Sequence, residues 1–335
     1  MTRRFPSANT ARLLWAPLAL LLTLPVGALE RVTGPENRPD AGLLAQTKSE
    51  IPPEILALDD KARELYERGE PQQALAVIQQ AMAWVNANLP SNAPYRASCL
   101  SQMGSLLLSM GRQQEAMAPM EEALKIFREM AKTDPAGLVG QAAIQTNLGM
   151  SYFFQQGRQQ EGLALTEEAV KLNRELTKTN PALFDYLAMS LNNLGTIYKD
   201  LGRGQDALAP TEEAVRIRRG MAKTNPAFLN DLAMALTNLG MFYIELGRRQ
   251  EALASLEEAV KIRRELPKTN TAFVIGLAYS LANLAMSQLV LGQPEQARSS
   301  VAEAKAIIRP LAATNPTLHE ELQRVFNNFP GQPGP

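Results

Sequence analysis

One pattern of about 45 residues recurs along most of this chain of 335 residues. It is easiest to follow at a glycine, which is followed by arginine in four of six copies. From the second copy onward, successive glycines are 46, 45, 45 and 45 residues apart, and the first copy lies 42 residues before the second. A fixed period of this length is typical of proteins that stack one supersecondary unit on copies of itself. The six glycines are Gly69, Gly111, Gly157, Gly202, Gly247 and Gly292.

Each repeat is predicted to contain two α-helices. In the fourth repeat, apolar residues at spacings of 3, 4 and 3 mark one buried face of the first helix. Gly202 is expected to end that helix in the left-handed conformation, and the second helix is predicted for residues 205–219. Charged residues four apart on second helices, such as Glu121 and Lys125, are expected to pair on an outer, solvated face. The apolar face of the first helix consists of Leu191, Leu194, Tyr198 and Leu201.

Small residues at fixed places predict that the two helices of a repeat pack closely. A glycine in a helix interior costs about 1 kcal/mol relative to alanine, so its recurrence requires a compensating contact. Alanine recurs five and twelve residues after the turn glycine, with Gly162 at the first of these places in the third repeat. Small side chains in phase on two consecutive helices allow their backbones to approach. The mid-helix glycines are Gly104, Gly149, Gly195 and Gly240.

Two Asn-Pro pairs predict where first helices begin. Asn180 and Asn225 are each followed by proline, in Thr-Asn-Pro sequences that occupy the same place in the period. Asparagine is a favoured N-cap, and proline tolerates the first helical position because its missing N–H would have no partner there. We interpret both asparagines as helix caps and not as a binding site.

The recurring motif closely resembles the tetratricopeptide repeat. It reads Asn-Leu-Gly-x-x-Tyr, Leu-Gly-Arg, Glu/Asp-Ala-Leu and Glu-Glu-Ala, and the resemblance covers residues 57–312. The period exceeds the usual length of about 34 residues, and is more similar to the elongated repeats of kinesin light chains and of some bacterial repeat proteins. Leu191, Leu236 and Leu281 stand where this family often has tryptophan. In the fourth repeat the motif consists of Asn193, Leu194, Gly195, Tyr198, Leu201, Gly202, Arg203, Asp206, Ala207, Leu208, Glu212, Glu213 and Ala214.

The resemblance implies an all-α fold, a right-handed superhelical solenoid of about six helix-turn-helix repeats. In such a fold the first helices line a concave groove that binds a peptide or protein. We assign the array to residues 54–312. Residues 313–329 are predicted to form a C-terminal capping helix, because apolar residues recur there at helical spacing, and residues 330–335 a tail.

Four asparagines hold the same place in consecutive first helices. In several tetratricopeptide proteins an asparagine at this place bonds the backbone of an extended ligand, and an amide suits that task because it both donates and accepts. The alternative interpretation is that repeat duplication copied a residue that bonds a neighbouring helix. The four candidate ligand-binding residues are Asn147, Asn193, Asn238 and Asn283. Groove specificity is expected from the varied neighbours Met150, Phe153, Thr196, Lys199, Asp200, Met241, Ile244 and Glu245.

The N-terminus has the features of a secretory signal in residues 1–28. Three arginines precede an apolar run from Leu13 to Val26, and small residues stand at its end, so cleavage after Ala28 is predicted. The run is shorter than the roughly 20 residues of a membrane-spanning helix, which makes a permanent membrane anchor the weaker alternative. Residues 29–53 have no sustained apolar period and are interpreted as a disordered linker. We therefore expect an exported protein, periplasmic or secreted.

Composition argues against several functional classes. The chain has 34 basic and 34 acidic residues, and loss of the leader with its three arginines would leave 31 and 34, so a surplus of cations for nucleic acid is absent. One cysteine, Cys99, and one histidine, His319, cannot form an intrachain disulfide or a Cys/His zinc site. The adjacent glutamates of the motif point about 100° apart on a helix and make no acid/base dyad. We expect no catalytic site, metal or cofactor, and membrane contact only through an uncleaved signal.

The leading hypothesis is an exported, non-catalytic scaffold that binds a protein or extended peptide in its groove. A second possibility is a structural protein that associates with copies of itself. A third is the regulatory subunit of an enzyme encoded elsewhere.

Overall fold

The computed structural model describes residues 51–267, 271–314, 316–327 and 329. All regular elements in these ranges are helical, so the all-α fold predicted from the repeat is confirmed. The predicted signal, most of the predicted linker and the predicted tail lie outside the described residues. The described chain divides between Ile197 and Tyr198 into two compact bodies, here called the N-terminal half and the C-terminal half.

The N-terminal half contains three complete repeats and the first helix of the fourth. Each repeat consists of two antiparallel-paired helices, and neighbouring helices contact each other in chain order. The helices are α1 (Pro53–Glu67), α2 (Pro71–Asn88), α3 (Pro94–Ser109), α4 (Gln113–Met130), α5 (Ala136–Phe154), α6 (Gln159–Thr179) and α7 (Phe184–Asp200), of which α7 ends beyond this half.

The C-terminal half completes the array with the second helix of the fourth repeat, two further repeats and two terminal helices. On the last helix, Leu322 and Phe326 are buried against the preceding repeat, as is Phe329 just after it. The helices are α8 (Gly204–Thr224), α9 (Leu229–Glu245), α10 (Arg249–Glu265), α11 (Thr271–Val290), α12 (Pro294–Ile308), α13 (Leu311–Thr314) and α14 (Pro316–Asn327).

The turn glycines end the first helices as predicted. All six have φ between 73° and 85°, in the left-handed region that glycine enters without steric cost. In the second repeat, for example, the N–H of Gly111 donates to the carbonyl of Leu108, and that of Arg112 to the carbonyl of Leu107. These bonds satisfy carbonyls that the helix end would leave without partners.

The two helices of a repeat approach closely at the mid-helix glycines. A Cβ placed on Gly149 would overlap Thr166 and lie 3.2 Å from the carbonyl oxygen of Gly162, and one on Gly240 would lie 2.6 Å from Cγ of Leu256. A Cβ on Gly104 would overlap Met120. The close contact predicted from small residues is therefore confirmed in these three repeats. The alanines twelve residues after the turn glycines are all fully buried: Ala81, Ala123, Ala169, Ala214, Ala259 and Ala304.

The two Asn-Pro pairs cap helices, but the turn they cap is not α-helical. The side-chain oxygen of Asn180 accepts from the N–H of Ala182 at 3.1 Å, and that of Asn225 from the N–H of Ala227 at 2.9 Å. Each asparagine starts a single 3-10 turn, Pro181–Leu183 or Pro226–Phe228, which leads directly into α7 or α9. The second helix of the fourth repeat is also longer than predicted and ends at Thr224.

A buried position on each second helix faces the first helix of the next repeat, and its chemistry changes along the chain. This position lies 16 residues after the turn glycine and is called position +16 here. In the N-terminal half it holds Phe127, whose ring would be 2.5 Å from a Cβ on Gly140, so the glycine makes room for the ring. The next occupant is Asn173, which donates towards the hydroxyl of Ser190 at 3.3 Å and the carbonyl of Tyr186 at 3.5 Å.

In the C-terminal half, position +16 holds arginine in both the fourth and the fifth repeat. Arg218 lies 3.4 Å from the carboxylate of Asp231, and the two side chains are only 4% and 3% exposed. Arg263 is also buried, and Gly276 faces it, where any Cβ would overlap the guanidinium. Apolar packing and amide bonding in one half are thus replaced by buried charge in the other.

Two glutamates of second helices, Glu121 and Glu212, bond side chains of the next repeat. The hydroxyl of Tyr152 donates to Glu121 at 2.8 Å, and Arg158 lies 3.1 Å from the same carboxylate. Glu212 accepts the equivalent bond from Tyr243. Both glutamates therefore join their repeat to the tyrosine of the next one. The arginine that follows the turn glycine also lies over the ring of this tyrosine. Cζ of Arg158 is 3.4 Å from the ring centre of Tyr152. The same distance is 4.3 Å from Arg203 to Tyr198, and 4.3 Å from Arg248 to Tyr243.

Candidate binding surface on the first helices

First helices of consecutive repeats touch, so within each half their free faces form one surface. In the N-terminal half, the amide of Asn193 on α7 donates to the carbonyl of Thr146 on α5 at 3.1 Å. In the C-terminal half, the hydroxyl of Tyr279 on α11 lies 3.0 Å from Sδ of Met241 on α9. The candidate ligand-binding residues predicted from the sequence lie in this layer of first helices.

The four asparagines do not occupy equivalent environments. Asn147, Asn193 and Asn238 are half-buried, whereas Asn283 is only 5% exposed. The amide of Asn283 donates to the carbonyl of Tyr279 on its own helix, at 3.0 Å. Asn193 instead bonds the preceding first helix, which is the contact that the structural interpretation of these asparagines predicts. Whether any of them binds a ligand stays a prediction.

The N-terminal half presents small polar side chains on its first-helix surface. Ser105 and Ser109 are half-buried on α3, and Met150 lies one turn from Asn147 on α5. Gln102, at the place of the later asparagines, donates towards the carboxylate of Asp59 on α1 at 3.4 Å. This half therefore offers hydroxyl, amide and thioether groups, and its first helices α5 and α7 also carry the exposed rings of Phe154 and Phe184.

The C-terminal half presents apolar side chains at the equivalent places. Met234 and Met241 share one face of α9, and Tyr279, Met286 and Val290 share one face of α11, because residues at spacings of four and seven lie on the same side of a helix. All five are half-buried. Their chemistry is thioether, aromatic and aliphatic.

Charge is nearly absent from the first helices of the C-terminal half. Helix α11 contains no Asp, Glu, Lys or Arg, and α9 contains only Asp231, which is turned into the core, and Glu245 near its end. Two segments, Pro226–Glu245 and Phe273–Val290, are long and apolar enough to span a membrane. Buried core helices pass the same test, and 61% and 67% of these two segments are buried among neighbouring helices.

Buried charge lies directly beneath this apolar surface. Burial raises the pKa of Tyr279 to about 12, partly opposed by its bond with Asn283 and by nearby Arg263. Burial also lowers the pKa of Arg263 to about 10, partly opposed by Tyr279 and Asp231. At neutral pH the tyrosine is therefore uncharged and the arginine remains a cation.

Several predicted specificity residues are turned away from the surface. Phe153 is 7% exposed and Thr196 is 8% exposed, so both belong to the core of the N-terminal half. Lys199 is half-buried and lies 3.2 Å from Asp200. The sequence reasoning missed Tyr279 and Met286, although their spacing from Asn283 is the signal that would have found them.

The described residues show no converging acid, base and nucleophile. They include no cluster of three metal-ligating side chains. Cys99 is fully buried, as expected for a small core residue. A shallow cavity of about 460 Å³ lies on α14, but its described lining, His319 to Asn327, comes from one face of a single helix. Such a surface does not bring reacting groups together from different directions.

Three family models for the tetratricopeptide repeat match four segments of the chain. One model matches residues 54–129, a second matches 187–221 and 232–266, and a third matches 278–303. Together they cover about half of the sequence and include both halves of the structure. The chain belongs to the tetratricopeptide repeat family.

Solved structures of repeat proteins share the fold at low sequence identity. BtubC (BKLC) from P. vanneervenii is 22% identical, with a TM-score of 0.51, and the match covers 78% of this chain and 90% of that one. The assembly chaperone of RpL4, Acl4, is 18% identical, with a TM-score of 0.52 and coverage of 81% and 94%. NprR, solved with its cognate peptide NprX, is 14% identical, with a TM-score of 0.55 and coverage of 97% and 86%. No curated protein sequence matches this chain.

Proposed function

We propose that this chain is an exported, non-catalytic scaffold that binds an extended segment of a partner protein on its first-helix surface. The observation that carries the proposal is the contrast between the two sides of the repeats. Second helices use their charges on each other, as in Arg128 with Glu168 and Arg219 with Glu258. First helices keep half-buried amide, hydroxyl and thioether groups on their shared face, and these are the groups available to a partner.

The asparagines suit recognition of a peptide backbone. The N–H group that Asn193 donates to Thr146 fixes the orientation of its amide, and its Oδ1 is then positioned to accept from a ligand N–H. Asn147 and Asn238 are half-buried at the same register of their helices. Asn283 is not assigned this role, because it is almost fully buried and its amide bonds its own helix.

The structural relatives support the protein-binding part of the proposal. NprR was solved with a bound peptide, and Acl4 is an assembly chaperone for a ribosomal protein. Both share the fold of this chain, and neither similarity identifies its partner. The absence of converging titratable groups among the described residues supports a binding role over a catalytic one.

The export part of the proposal depends on residues 1–28. Expression of the full chain in a bacterial host, followed by fractionation and N-terminal sequencing, tests it. We expect the mature protein outside the cytoplasm, beginning at Leu29. A chain that stays in the membrane with its N-terminus intact would support the anchor alternative, and one that stays in the cytoplasm would refute export.

The binding part is tested by photo-crosslinking from the first-helix surface. A photoreactive amino acid at Asn147 should capture a defined partner, and Asn147→Ala should weaken capture while leaving thermal stability unchanged. Asn193→Ala should lower both, because its amide also bonds Thr146. Ala254, exposed on second helix α10, provides the matched control position. Equal capture from Ala254 and Asn147, or capture by neither, would contradict the proposal.

A further inference from the structure

Gly220, on second helix α8, makes room for no neighbouring side chain. Gly149, inside another helix, faces Thr166 so closely that a Cβ would overlap it. A Cβ on Gly220 would instead meet no atom of the described chain within 4 Å, and the residue is exposed. Glycine destabilises a helix interior relative to alanine. Helix packing therefore does not explain the glycine at this place.

Three other repeats have glutamate at the place of Gly220, which is 18 residues after the turn glycine. Two of these glutamates pair with a lysine three residues later. Nζ of Lys132 lies 2.7 Å from the carboxylate of Glu129, and Nζ of Lys178 lies 2.7 Å from that of Glu175. The fourth repeat retains the lysine, Lys223, but not its acid. The three glutamates are Glu129, Glu175 and Glu265.

A second cation, Arg216, also lacks an acid because of this glycine. In the second, third and fifth repeats, the lysine at the place of Arg216 has glutamate both four residues before and four residues after it. Arg216 has Gly220 after it. The glutamate before it, Glu212, accepts a bond from Tyr243. Arg216, Gly220 and Lys223 share one side of α8, because residues four and seven apart lie on the same face. We call these three residues the cationic face.

The acids near the cationic face are engaged with other groups. On the next second helix, Glu258 accepts from Arg219 with both of its oxygens, at 3.0 and 2.8 Å. Among the described residues, neither Arg216 nor Lys223 takes part in an ion pair, and both are exposed. The acids of α8 itself, each of which has an interaction elsewhere, are Asp206, Glu212 and Glu213.

The charges and the open backbone determine which group fits the cationic face. A carboxylate over Gly220 would have a cation about one turn away on either side and no side chain in its way. An ammonium group would meet two like charges there. Lys178 occupies the same place in the last turn of α6 and keeps its glutamate. Attraction between a lysine and the carbonyl end of its helix therefore does not by itself account for the missing acid.

We propose that the cationic face binds an acidic segment of the partner protein, with an aspartate or glutamate side chain between Arg216 and Lys223. This rests on the proposed function, because the segment belongs to the same partner that contacts the first helices. It adds a contact on the second-helix side of the fourth repeat. Exposed ion pairs contribute little affinity individually, but they accelerate association and fix the orientation of the partner.

The test uses three fluorescein-labelled peptides and the full chain. One peptide has glutamates spaced along a Gly/Ser sequence, and in the other two every glutamate is replaced by glutamine or by lysine. The chain has as many acidic as basic residues, so its net charge does not favour an acidic peptide. In fluorescence anisotropy at low salt, the acidic peptide should bind about fivefold more tightly than the glutamine peptide, and salt should reduce this advantage. Equal binding of these two peptides, or a preference for the lysine peptide, would overturn the proposal.

Variants of the glycine locate the binding. Gly220→Glu supplies the acid of the other repeats and should reduce binding of the acidic peptide to the level of the glutamine peptide. Gly220→Ala should keep the binding and raise the thermal midpoint, because alanine favours the helix without adding charge. Ala164→Glu adds the same charge at an exposed position of α6 and should leave binding unchanged. Unchanged binding in Gly220→Glu, or an equal loss in either of the other variants, would refute the assignment.

Two lysine variants form a matched pair. Lys223→Gln should weaken binding of the acidic peptide by about threefold, because it removes one of the two cations. Lys178→Gln removes the same charge from the third repeat, where Glu175 already neutralises it, and should have no effect. Equal effects of the two substitutions would show that the peptide responds to the total charge of the chain, which contradicts a site on α8.

Photo-crosslinking separates this proposal from the general function. The crosslinker is placed at Asn147 or at Thr224, which is exposed at the end of α8. Capture of the same protein from both positions is expected. Capture from Asn147 alone would leave the scaffold function intact and refute the acidic contact, whereas capture from neither would count against both. Capture from Thr224 alone would support the cationic face and count against the first-helix surface. Crosslinks from Thr224 to a second copy of this chain would overturn the assignment to a partner.

Discussion

The N-terminal and C-terminal halves are built from the same repeat but differ in the residues at their buried contacts and on their first-helix surfaces. At position +16 the N-terminal half packs Phe127 against Gly140 and satisfies the Asn173 amide with neutral groups. The C-terminal half buries Arg218 with Asp231 at the equivalent place. Their first-helix surfaces differ as well, since α5 presents Asn147, Met150 and Phe154, whereas α11 presents Tyr279, Met286 and Val290.

This difference separates two kinds of position in the repeat. Positions that recur, such as the turn glycines, fix the backbone and are interchangeable. Positions that vary, such as +16 and the accessible face of the first helix, determine the chemistry of each contact.

The largest contrast is expected from removing a partner at position +16. Asp231→Ala leaves Arg218 buried without its carboxylate, which should destabilise the chain by about 3–5 kcal/mol. Asn173→Ala removes neutral hydrogen bonds and should cost only about 0.5–1.5 kcal/mol. Urea unfolding of both variants checks this order. A double variant, Arg218→Met with Asp231→Leu, should recover only part of the loss, because buried Arg263 also loses the nearby carboxylate of Asp231. Equal losses in the two single variants would contradict the difference between buried charge and neutral hydrogen bonding.

Replacing a mid-helix glycine by leucine should destabilise both halves, but by different amounts. Leucine at Gly149 or Gly240 overpacks the helix contact, at a cost of about 1–3 kcal/mol. The neighbour of Gly149 includes the backbone carbonyl of Gly162, while that of Gly240 is the movable side chain of Leu256. We therefore expect the Gly149 variant at the upper end of the range, and Leu256→Ala to rescue the Gly240 variant in part. Thermal unfolding provides the measurement, and a more stable Gly149→Leu chain would contradict the packing described.

One stabilising substitution is expected in the N-terminal half. Gln145 is fully buried, and neither polar atom of its side chain has a hydrogen-bond partner. Leu236 and Leu281 occupy the same place in later repeats. Because a buried polar group without a partner costs about 1–3 kcal/mol, Gln145→Leu should stabilise the chain by a similar amount. Leu236→Gln is the reverse control, and a loss of stability in Gln145→Leu would contradict the absence of hydrogen bonds to this amide.

The smallest difference between the halves is expected in alkaline titration. Burial and bonding to Glu121 and Glu212 raise the pKa of Tyr152 and of Tyr243 to about 12. An unfolded tyrosine titrates near pH 10, so this contribution to stability is complete below about pH 10 and is lost as pH rises through about 12. Tyrosinate absorbance should show late titration of both residues in the folded chain. Phenylalanine at either position should remove one late-titrating group, and normal titration of both tyrosines would contradict the burial.

The recurring part of the fold could be predicted from sequence, and the varying part could not. Glycine and alanine in phase indicate helix ends and close contacts because only small residues tolerate those geometries. Gln145 and Arg218 gave no such signal, since a single exception in a repeat does not reveal whether its neighbours accommodate it. The surface was similarly incomplete: the asparagine register was visible, but the burial of Asn283 depends on Tyr279 and on the path of its own helix.

The pairing of second helices has a consequence for how such a chain changes in evolution. Arg264 lies 2.6 Å from Glu303, and the same bond joins Arg219 to Glu258 one repeat earlier. Deleting the 45 residues from Gly220 to Arg264 would place Arg219 opposite Glu303 and Arg218 opposite Gly276, combinations that the chain already uses. A gene encoding this protein could therefore gain or lose whole segments by recombination, so that the length of the array can be inherited as a variable trait.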